Sequence, residues 1–431
     1  MKRVLLLCPT GRERRHLPTV AAALNCRVIF EEFAASYFDR QLSSDTQSDP
    51  AELDTRLDTL ALIEEILSRY TRDRIEGVTS AVGYPGMPVA SIIAERLGLP
   101  GTKVETVLLC EHKYYARAAQ RKLVPTATPS LQIVPPDGLA EPDAPDIPFP
   151  LFLKPVKSCF SINAQTVSSL PELRRAARTS RMPAWFLRPF DDLLKAYTNY
   201  EYDASHLLAE TLLEGVQVSL EGYVFQGRVH VLGIIDSVMF PNTISFERFV
   251  YPSRLPEEVQ ARMSQIAETF INGIGYDNAL FNMELMYNAA TGDIHIIEVN
   301  PKIASQFPDL FEKVDGTSSY APLLQVALGE DPKFQRGRGE FKLAASCVLR
   351  IFEDRRVVRV PTEAQLAELT RKFPDANIEI SVSKGDILSN IMQDGKSFRY
   401  GLVNIGANSE QELDAKLEFC KNFLDFQFAA P

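Results

Sequence analysis

NALFNMELMYNAATGDIHIIEVNPK, residues 278–302, decides how the chain is read. It has the pattern of two short strands joined by a polar turn. Over residues 280–287 the side chains alternate, with Phe281, Met283, Leu285 and Tyr287 on one face and Asn282 and Glu284 on the other. Residues 288–293 supply Asn, Asp and Gly, the residues that tight turns use. The second strand, 294–300, puts Glu298 and Asn300 on one face. Strict alternation puts His295 on the other, as a packing residue. A hairpin folded symmetrically about Thr291 sets Glu284 directly opposite Glu298. Two facing carboxylates repel, so the pattern calls for a cation between them or a proton on one. Asn300 adds a third hard oxygen donor on that face, a set suited to Mg²⁺ or Mn²⁺ with phosphate and water completing the shell. From the pairing alone, a solvated sheet face with two surface glutamates reads equally well.

Outward from the hairpin, residues 256–273 form an amphipathic helix leading into it, and 322–328 a helix ended by Gly329. At the start of the chain, RVLLLC (3–8) is a continuous apolar run of the kind that forms a buried parallel strand. Helical spacing at 19–24 and 54–70, strands at 26–30 and 77–80, and a helix at 88–97 closed by Gly98 follow. This alternation predicts a doubly wound α/β unit over residues 1–108. CPTGRER lacks the spacing and terminal lysine of a P-loop and reads as a turn, with Arg14, Arg15 and His16 at the surface. Residues 111–122 read as a helix, 135–150 as a Pro-rich acidic loop, 149–154 as a strand and 171–179 as a helix. Strands are expected at 207–213, 216–225 and 229–235. Residues 331–431 are mixed, with strands at 343–352 and 378–382 and helices at 362–373 and 409–423.

Composition sets the outer limits. A chain of 431 residues predicts two to four domains or one large multi-lobed enzyme, and 45% hydrophobic with 24% charged residues is ordinary for a globular protein. The net charge of -10 argues against a general nucleic-acid binder. Six scattered cysteines contain no CxxC pair and no zinc-type cluster. The apolar run after the N-terminus falls short of the roughly 7–15 residues of a signal peptide, and none approaches the ~20 of a membrane span. The expectation is a cytoplasmic protein without membrane or nucleic-acid partners; for its assembly, a homodimer is the commonest prior.

Four further elements carry chemistry. Lys113 opens a helix after Glu111 and His112. PLFLKPVKSCFS (150–161) ends a strand on Lys154 and follows it with Ser158 and Ser161, so that lysine, hydroxyls and free backbone N–H groups can hold phosphates. LLAETLLEGVQVSLEG (207–222) puts Glu210 at a strand end and runs through Leu212 and Leu213. It then sets Gln217, Ser219 and Glu221 on one face. Such a hinge can bind adenine by its backbone and ribose by a polar side chain. SFERFVYPS (245–253) holds Arg248 among aromatic and polar residues. Taken singly, each also reads as an ordinary exposed feature.

Their order is more specific than any one of them. Lysine, a Lys-Pro strand, Glu-x-x-x-x-Gly, FNxE and ExNP in succession resemble the ATP-grasp superfamily, and within it the L-amino-acid-ligase type of carboxylate–amine ligase. The resemblance covers roughly residues 75–330. It implies a two-lobed α+β ATP-grasp domain at 109–330, with a lid over about 124–205, between the N-terminal unit and an α/β C-terminal extension. Lys113 and Lys154 would contact ATP phosphates with Ser158 and Ser161 beside them. Glu210 would meet the adenine amino group, with the backbone of Leu212 and Leu213 nearby, and Gln217 would take the ribose position. Glu284, Glu298 and Asn300 would hold Mg²⁺ or Mn²⁺. Arg248 and Lys302 would stabilise the oxyanion as an amine attacks an acyl phosphate. The implied substrates are a small carboxylate and an amine, one of them an amino acid. A bicarbonate-activating carboxylase, a kinase and a non-catalytic ATP sensor are the alternatives. Two departures stand out: the loop after Lys154 has no glycine, and Lys302 stands where an arginine is usual, keeping the charge without the bidentate fork.

Overall fold

The computed structural model describes residues 1–32, 57–136, 145–159, 161–390 and 397–431. Positions 54–56 of the expected helix, 137–144 of the expected loop and Phe160 lie outside the described residues. The apolar run near the N-terminus forms β1 (Lys2–Leu7), flanked in parallel by β2 (Cys26–Glu31) and β3 (Gly77–Ser80). Val4 to Leu7 are fully buried, as a central parallel strand requires. CPTGRER is the start of helix α1 (Gly11–Ala23) rather than a turn. Thr10 caps it, and Glu13 reaches back to the Thr10 N–H at 2.8 Å. That is a capping box, which outweighs Pro9 and Gly11 as breakers. Helices α2 (Thr59–Arg69) and α3 (Gly86–Leu97) follow, α3 ending on Gly98 at φ 62° as expected. Next come α4 (Val104–Glu111) and α5 (Lys113–Leu123), separated only by His112.

A small antiparallel sheet comes next, built from β4 (Leu131–Val134), β5 (Leu151–Pro155), β6 (Gln165–Val167) and β7 (Leu207–Thr211) in the order β4-β7-β5-β6. Helix α6 (Leu170–Thr179) covers it through Leu173, Ala176 and Ala177. Helix α7 (Ala184–Tyr197), which carries Trp185, packs away from this sheet. Phe186, Leu187, Phe190, Leu193 and Leu194 share a buried cluster with Ile63, Ile66 and Leu108 of the N-terminal unit. At about 1.5–3 kcal/mol per fully buried apolar side chain, this face ties the small lobe firmly to its neighbour.

The large sheet has eight antiparallel strands. They are β8 (Val216–Phe225), β9 (Arg228–Met239), β10 (Phe246–Tyr251), β11 (Ala279–Tyr287), β12 (Ile294–Asn300) and β13 (Leu343–Ile351), with β15 (Asn377–Ile380) and β16 (Phe398–Ala407). A separate ribbon pairs β14 (Arg356–Arg359) with β17 (Gln427–Ala429). The large sheet runs β12-β11-β8-β9-β10-β13-β16-β15, so the C-terminal segment continues the sheet that contains the hairpin. One face is apolar. Helix α8 (Glu257–Gly273) covers it with Met263, Ala267, Phe270 and Ile271 against Val218, Phe281, Met283, Leu285 and Ile296. Helices α11 (Glu363–Lys372) and α12 (Glu410–Phe423) cover its continuation, while α9 (Pro308–Asp315), α10 (Tyr320–Ala327) and the N-terminal unit pack on the other face. That second face holds the polar residues of the hairpin. Among the described residues no helix is long and apolar enough to cross a membrane.

Candidate active site

The hairpin folds in the register that its sequence predicts. Glu284 pairs with Glu298 and Asn282 with Asn300, and Phe281, Met283 and Leu285 are fully buried on the opposite face. The second strand departs from strict alternation at one point. Between the Glu284–Glu298 and Leu285–Ile296 pairs, Ile297 is left over as a β-bulge. His295 then pairs with Met286 and lies on the same face as Glu298, correcting the expectation that it faces the core. The bulge also frees the Ile297 carbonyl, which accepts a 2.6 Å hydrogen bond from Arg117 Nη2.

Cations surround the carboxylate pair. Lys113, first residue of α5, places its ammonium 3.2 Å from Glu298. One turn on, Arg117 donates Nε to Glu210 at 2.5 Å, and Lys154 at the end of β5 sits 2.6 Å from the other Glu210 oxygen. Both Glu210 oxygens are thus engaged by cations, and neither is held out toward an adenine amino group. Arg117 is 2% exposed, Glu210 3% and Lys154 6%, so the triad is fully interior. Burial alone would raise the Glu210 carboxyl, but Arg117 and Lys154 outweigh it and hold it below the usual range. Burial pulls the Lys154 ammonium down despite Glu210. The facing pair splits in the same way. Burial and the Glu298 charge push Glu284 up. Glu298 is held down because Lys113 and Lys154 outweigh its own burial. Gln217 donates Nε2 to Glu284 at 2.8 Å, which leaves its carbonyl oxygen as an acceptor.

The loop after Lys154 meets its lack of glycine in a specific way. Ser161 adopts φ 54°, the left-handed region where glycine is usual, between two turn hydrogen bonds. Ser158 is half-buried and Ser161 exposed. Lys157 turns away from this loop. Its ammonium pairs with Glu111 and lies 4.7 Å from the ring centres of both Tyr84 and Phe190. Leu212 and Leu213 lie half-buried in the connector between β7 and β8, which ends at Gly215. Gly215 has φ 132°, and a Cβ there would stand 2.1 Å from the Tyr287 carbonyl oxygen, so only glycine lets the connector close on the hairpin.

Lys302 reaches the site just beyond β12. Its charge acts on both Glu284 and Glu221, and its chain passes Gly83 of the N-terminal unit. Arg248 is not brought there. It pairs with Val238 and Cys347 on the face covered by α12, and its Nη1 lies 2.5 Å from Asp414 of that helix. Arg248, expected beside Lys302, is therefore placed away from the carboxylate pair, on the opposite face of the sheet. Sequence reasoning also missed Arg117 and the placement of Glu221. Arg117 follows Lys113 by four residues on one helix, a spacing that puts both on the same face. Glu221, set by alternation on one face with Gln217 and Ser219, is fully buried, and that burial pushes its carboxyl up to about 8.

Two carboxylates, an amide and two lysines converge on one sheet face, opposite a small lobe that carries a third lysine. Residues 147–307 match the family model of the ATP-grasp domain. The chain carries an ATP-grasp domain. The match to that domain spans β5 to the turn after β12 and so includes every strand of the site. Solved structures align over nearly the whole chain. An L-amino acid ligase from Bacillus licheniformis superposes with TM-score 0.71 at 18% identity, covering 100% of this chain and 99% of that one. A phosphoribosylglycinamide synthetase from Anaerococcus prevotii gives 0.64 at 15%, covering 100% of each. The biotin carboxylase domain of a Hydrogenobacter thermophilus 2-oxoglutarate carboxylase, in complex with MgADP, ADP and bicarbonate, gives 0.65 at 16%, covering 99% and 90%. At these identities the likeness is one of fold. No curated protein matches the chain in sequence.

Proposed function

We propose that this chain is an ADP-forming ligase that activates a carboxylate as an acyl phosphate and joins it to an amine, with an amino acid as one substrate. The observation that carries this reading is the Glu284–Glu298 pair, two carboxylates in register with Lys113 on one side and Lys302 beyond. Facing carboxylates destabilise a sheet unless a cation joins them. The donor set fits such a cation: two carboxylates and the Asn300 amide are hard oxygen ligands. Mg²⁺ or Mn²⁺ held by Glu284, Glu298 and Asn300 would supply charge neutralisation at ATP phosphates.

The protein's own groups divide the remaining work. Lys113 and Lys154 face the phosphates, with the N–H groups and hydroxyls of Ser158 and Ser161 alongside. Glu210 serves by holding the Lys154 ammonium in place, together with Arg117. The connector at Leu212 and Leu213 offers backbone groups to adenine, and the free Gln217 carbonyl accepts from ribose. A carboxylate oxygen attacks the γ-phosphorus as ADP leaves, and the amine nitrogen then attacks the acyl carbon as phosphate leaves. Lys302 supplies positive charge where the oxyanion of that second step develops. The small lobe screens the acyl phosphate from water.

A matrix of small acids against amines, read as phosphate release and including a bicarbonate arm, tests the proposal. ADP formation that needs both an acid and an amine, and that Glu298→Gln abolishes, is expected. Turnover driven by bicarbonate alone would reassign the chain to carboxylation. Calorimetric ATP binding without turnover across the whole matrix would overturn the enzymatic reading.

A further inference from the structure

One buried carboxyl on the site face has no part in that scheme. Glu221 on β8 is fully buried beside Asn282 of β11, its cross-strand partner. Its Oε1 accepts two hydrogen bonds, one from Asn282 Nδ2 at 3.1 Å and one from the Ala304 backbone N–H at 2.6 Å. Its Oε2 is buried without a hydrogen-bond partner among the described residues. Asn282 in turn accepts, through Oδ1, a 3.3 Å hydrogen bond from Asn300 Nδ2.

Donors and acceptors in this chain run in one order. Glu221 Oε1 accepts, so Asn282 must turn its amino group toward β8. The Asn282 carbonyl then faces Asn300, and Asn300 must answer with its own amino group. The Asn300 carbonyl oxygen, the atom that a hard cation prefers, is left for the site. A single acceptor on β8 thereby sets the orientation of two amides in series across three strands. The same oxygen holds the Ala304 N–H and so pins the turn that follows β12, two residues after Lys302.

We propose that Glu221 is a positioning residue that orients Asn300 through Asn282 and fixes Lys302 through the Ala304 N–H, joining the metal-binding and oxyanion ends of the site. The proposal rests on the ligase reading for what the two ends do, while the hydrogen-bond relay itself stands on geometry alone. It explains why a core-like position of β8 carries an acid at all: an apolar residue there would leave Asn282 and the Ala304 N–H without acceptors.

The test compares Glu221→Gln, which keeps an acceptor at Oε1, with Glu221→Met, which has a similar shape and no oxygen. Three readouts are taken on the full-length chain. They are hydrogen exchange at residues 300–306 without nucleotide, the Mg²⁺ concentration that half-saturates ATP binding, and steady-state ADP formation. For Glu221→Met, exchange at 300–306 rises about tenfold as the turn opens locally. Half-saturating Mg²⁺ and kcat worsen by about 10–100-fold, the usual cost of losing support behind a metal ligand, while the KM for ATP stays within about threefold. Glu221→Gln returns all three close to wild type. Wild-type exchange and Mg²⁺ response in Glu221→Met, or a Gln variant as impaired as Met, overturns the proposal. If Glu221→Met does not fold, Asn282→Leu cuts the amide branch alone: half-saturating Mg²⁺ then rises while exchange at Ala304 stays low, and an unchanged Mg²⁺ response refutes the relay. Should no substrate pair support turnover, the ligase reading fails, yet exchange and Mg²⁺-dependent ATP binding still decide the role of Glu221.

Discussion

Replacing Glu210 by Gln leaves two buried cations, Arg117 and Lys154, facing an uncharged amide. Removing one partner of a buried ion pair costs about 3–5 kcal/mol, because the remaining charge stays desolvated and uncompensated. The two cations respond differently. Arg117 keeps hydrogen bonds to Gln120 and to the Ile297 carbonyl. Lys154 has an escape. Its pKa is already depressed in the wild type, and without Glu210 it falls further until the amine is neutral. Deprotonating a lysine of ordinary pKa about 10.4 at pH 7.5 costs about 1.36 kcal/mol for each of about 2.9 units, so the lysine part is capped near 4 kcal/mol. At pH 9 the same cap is about 2 kcal/mol. The sign follows from proton counting: the unfolded variant binds a proton that the folded one has released, so its stability rises with pH. Urea unfolding of nucleotide-free wild type and Glu210→Gln should show a loss of about 3–5 kcal/mol at pH 7.5 that shrinks by up to about 2 kcal/mol at pH 9. The double variant Glu210→Gln/Lys154→Met should recover part of the loss. A cost under about 1 kcal/mol at pH 7.5, or one that does not change with pH, would refute the triad as the anchor of Lys154.

Glu284→Gln should raise the melting temperature of the metal-free protein, and more so at pH 8 than at pH 5. Its carboxyl is pushed up by burial and by Glu298, so its contribution is intact below the ordinary carboxylate range and lost as pH rises through the folded value; a gain that is the same at both pH values contradicts the like-charge account. Gly215→Ala should destabilise by about 2–3 kcal/mol in denaturant titrations, since the added Cβ meets the Tyr287 carbonyl at 2.1 Å and the backbone stands at φ 132°. Arg248→Met should leave ADP formation within about threefold and cost under about 1 kcal/mol, because its partner Asp414 is 60% exposed; a hundredfold loss of kcat would return Arg248 to the chemistry.

The readable parts of this protein were local ones. The hairpin register followed from period-two alternation and a six-residue polar turn, both contained in one stretch. The Gly98 helix end and the Glu210-to-Gly215 hinge were legible for the same reason. Other local signals were present and outweighed. Thr10 and Glu13 spell a capping box, but the neighbouring Pro9 and Gly11 suggested a turn. The bulge at Ile297 shows in the pattern only as a change of parity, from Ile294 and Ile296 to Val299 on the apolar face, which strict alternation overrode; the position of Arg117 fits it.

The amino-acid order by itself determined the chemistry on offer: two carboxylates and an amide on one face of a hairpin, lysines before and after them, and a hinge between lobes. Tertiary packing decided which groups meet. Glu210 is separated from Arg117 by 93 residues, and Arg248 from Asp414 by 166, yet these contacts make one a clamp for Lys154 and keep the other away from the site. The physical reason is range. Strand period and turn geometry act over a few residues and are written in order along the chain, whereas an ion pair acts over a few ångströms of space and depends on how distant elements fold together.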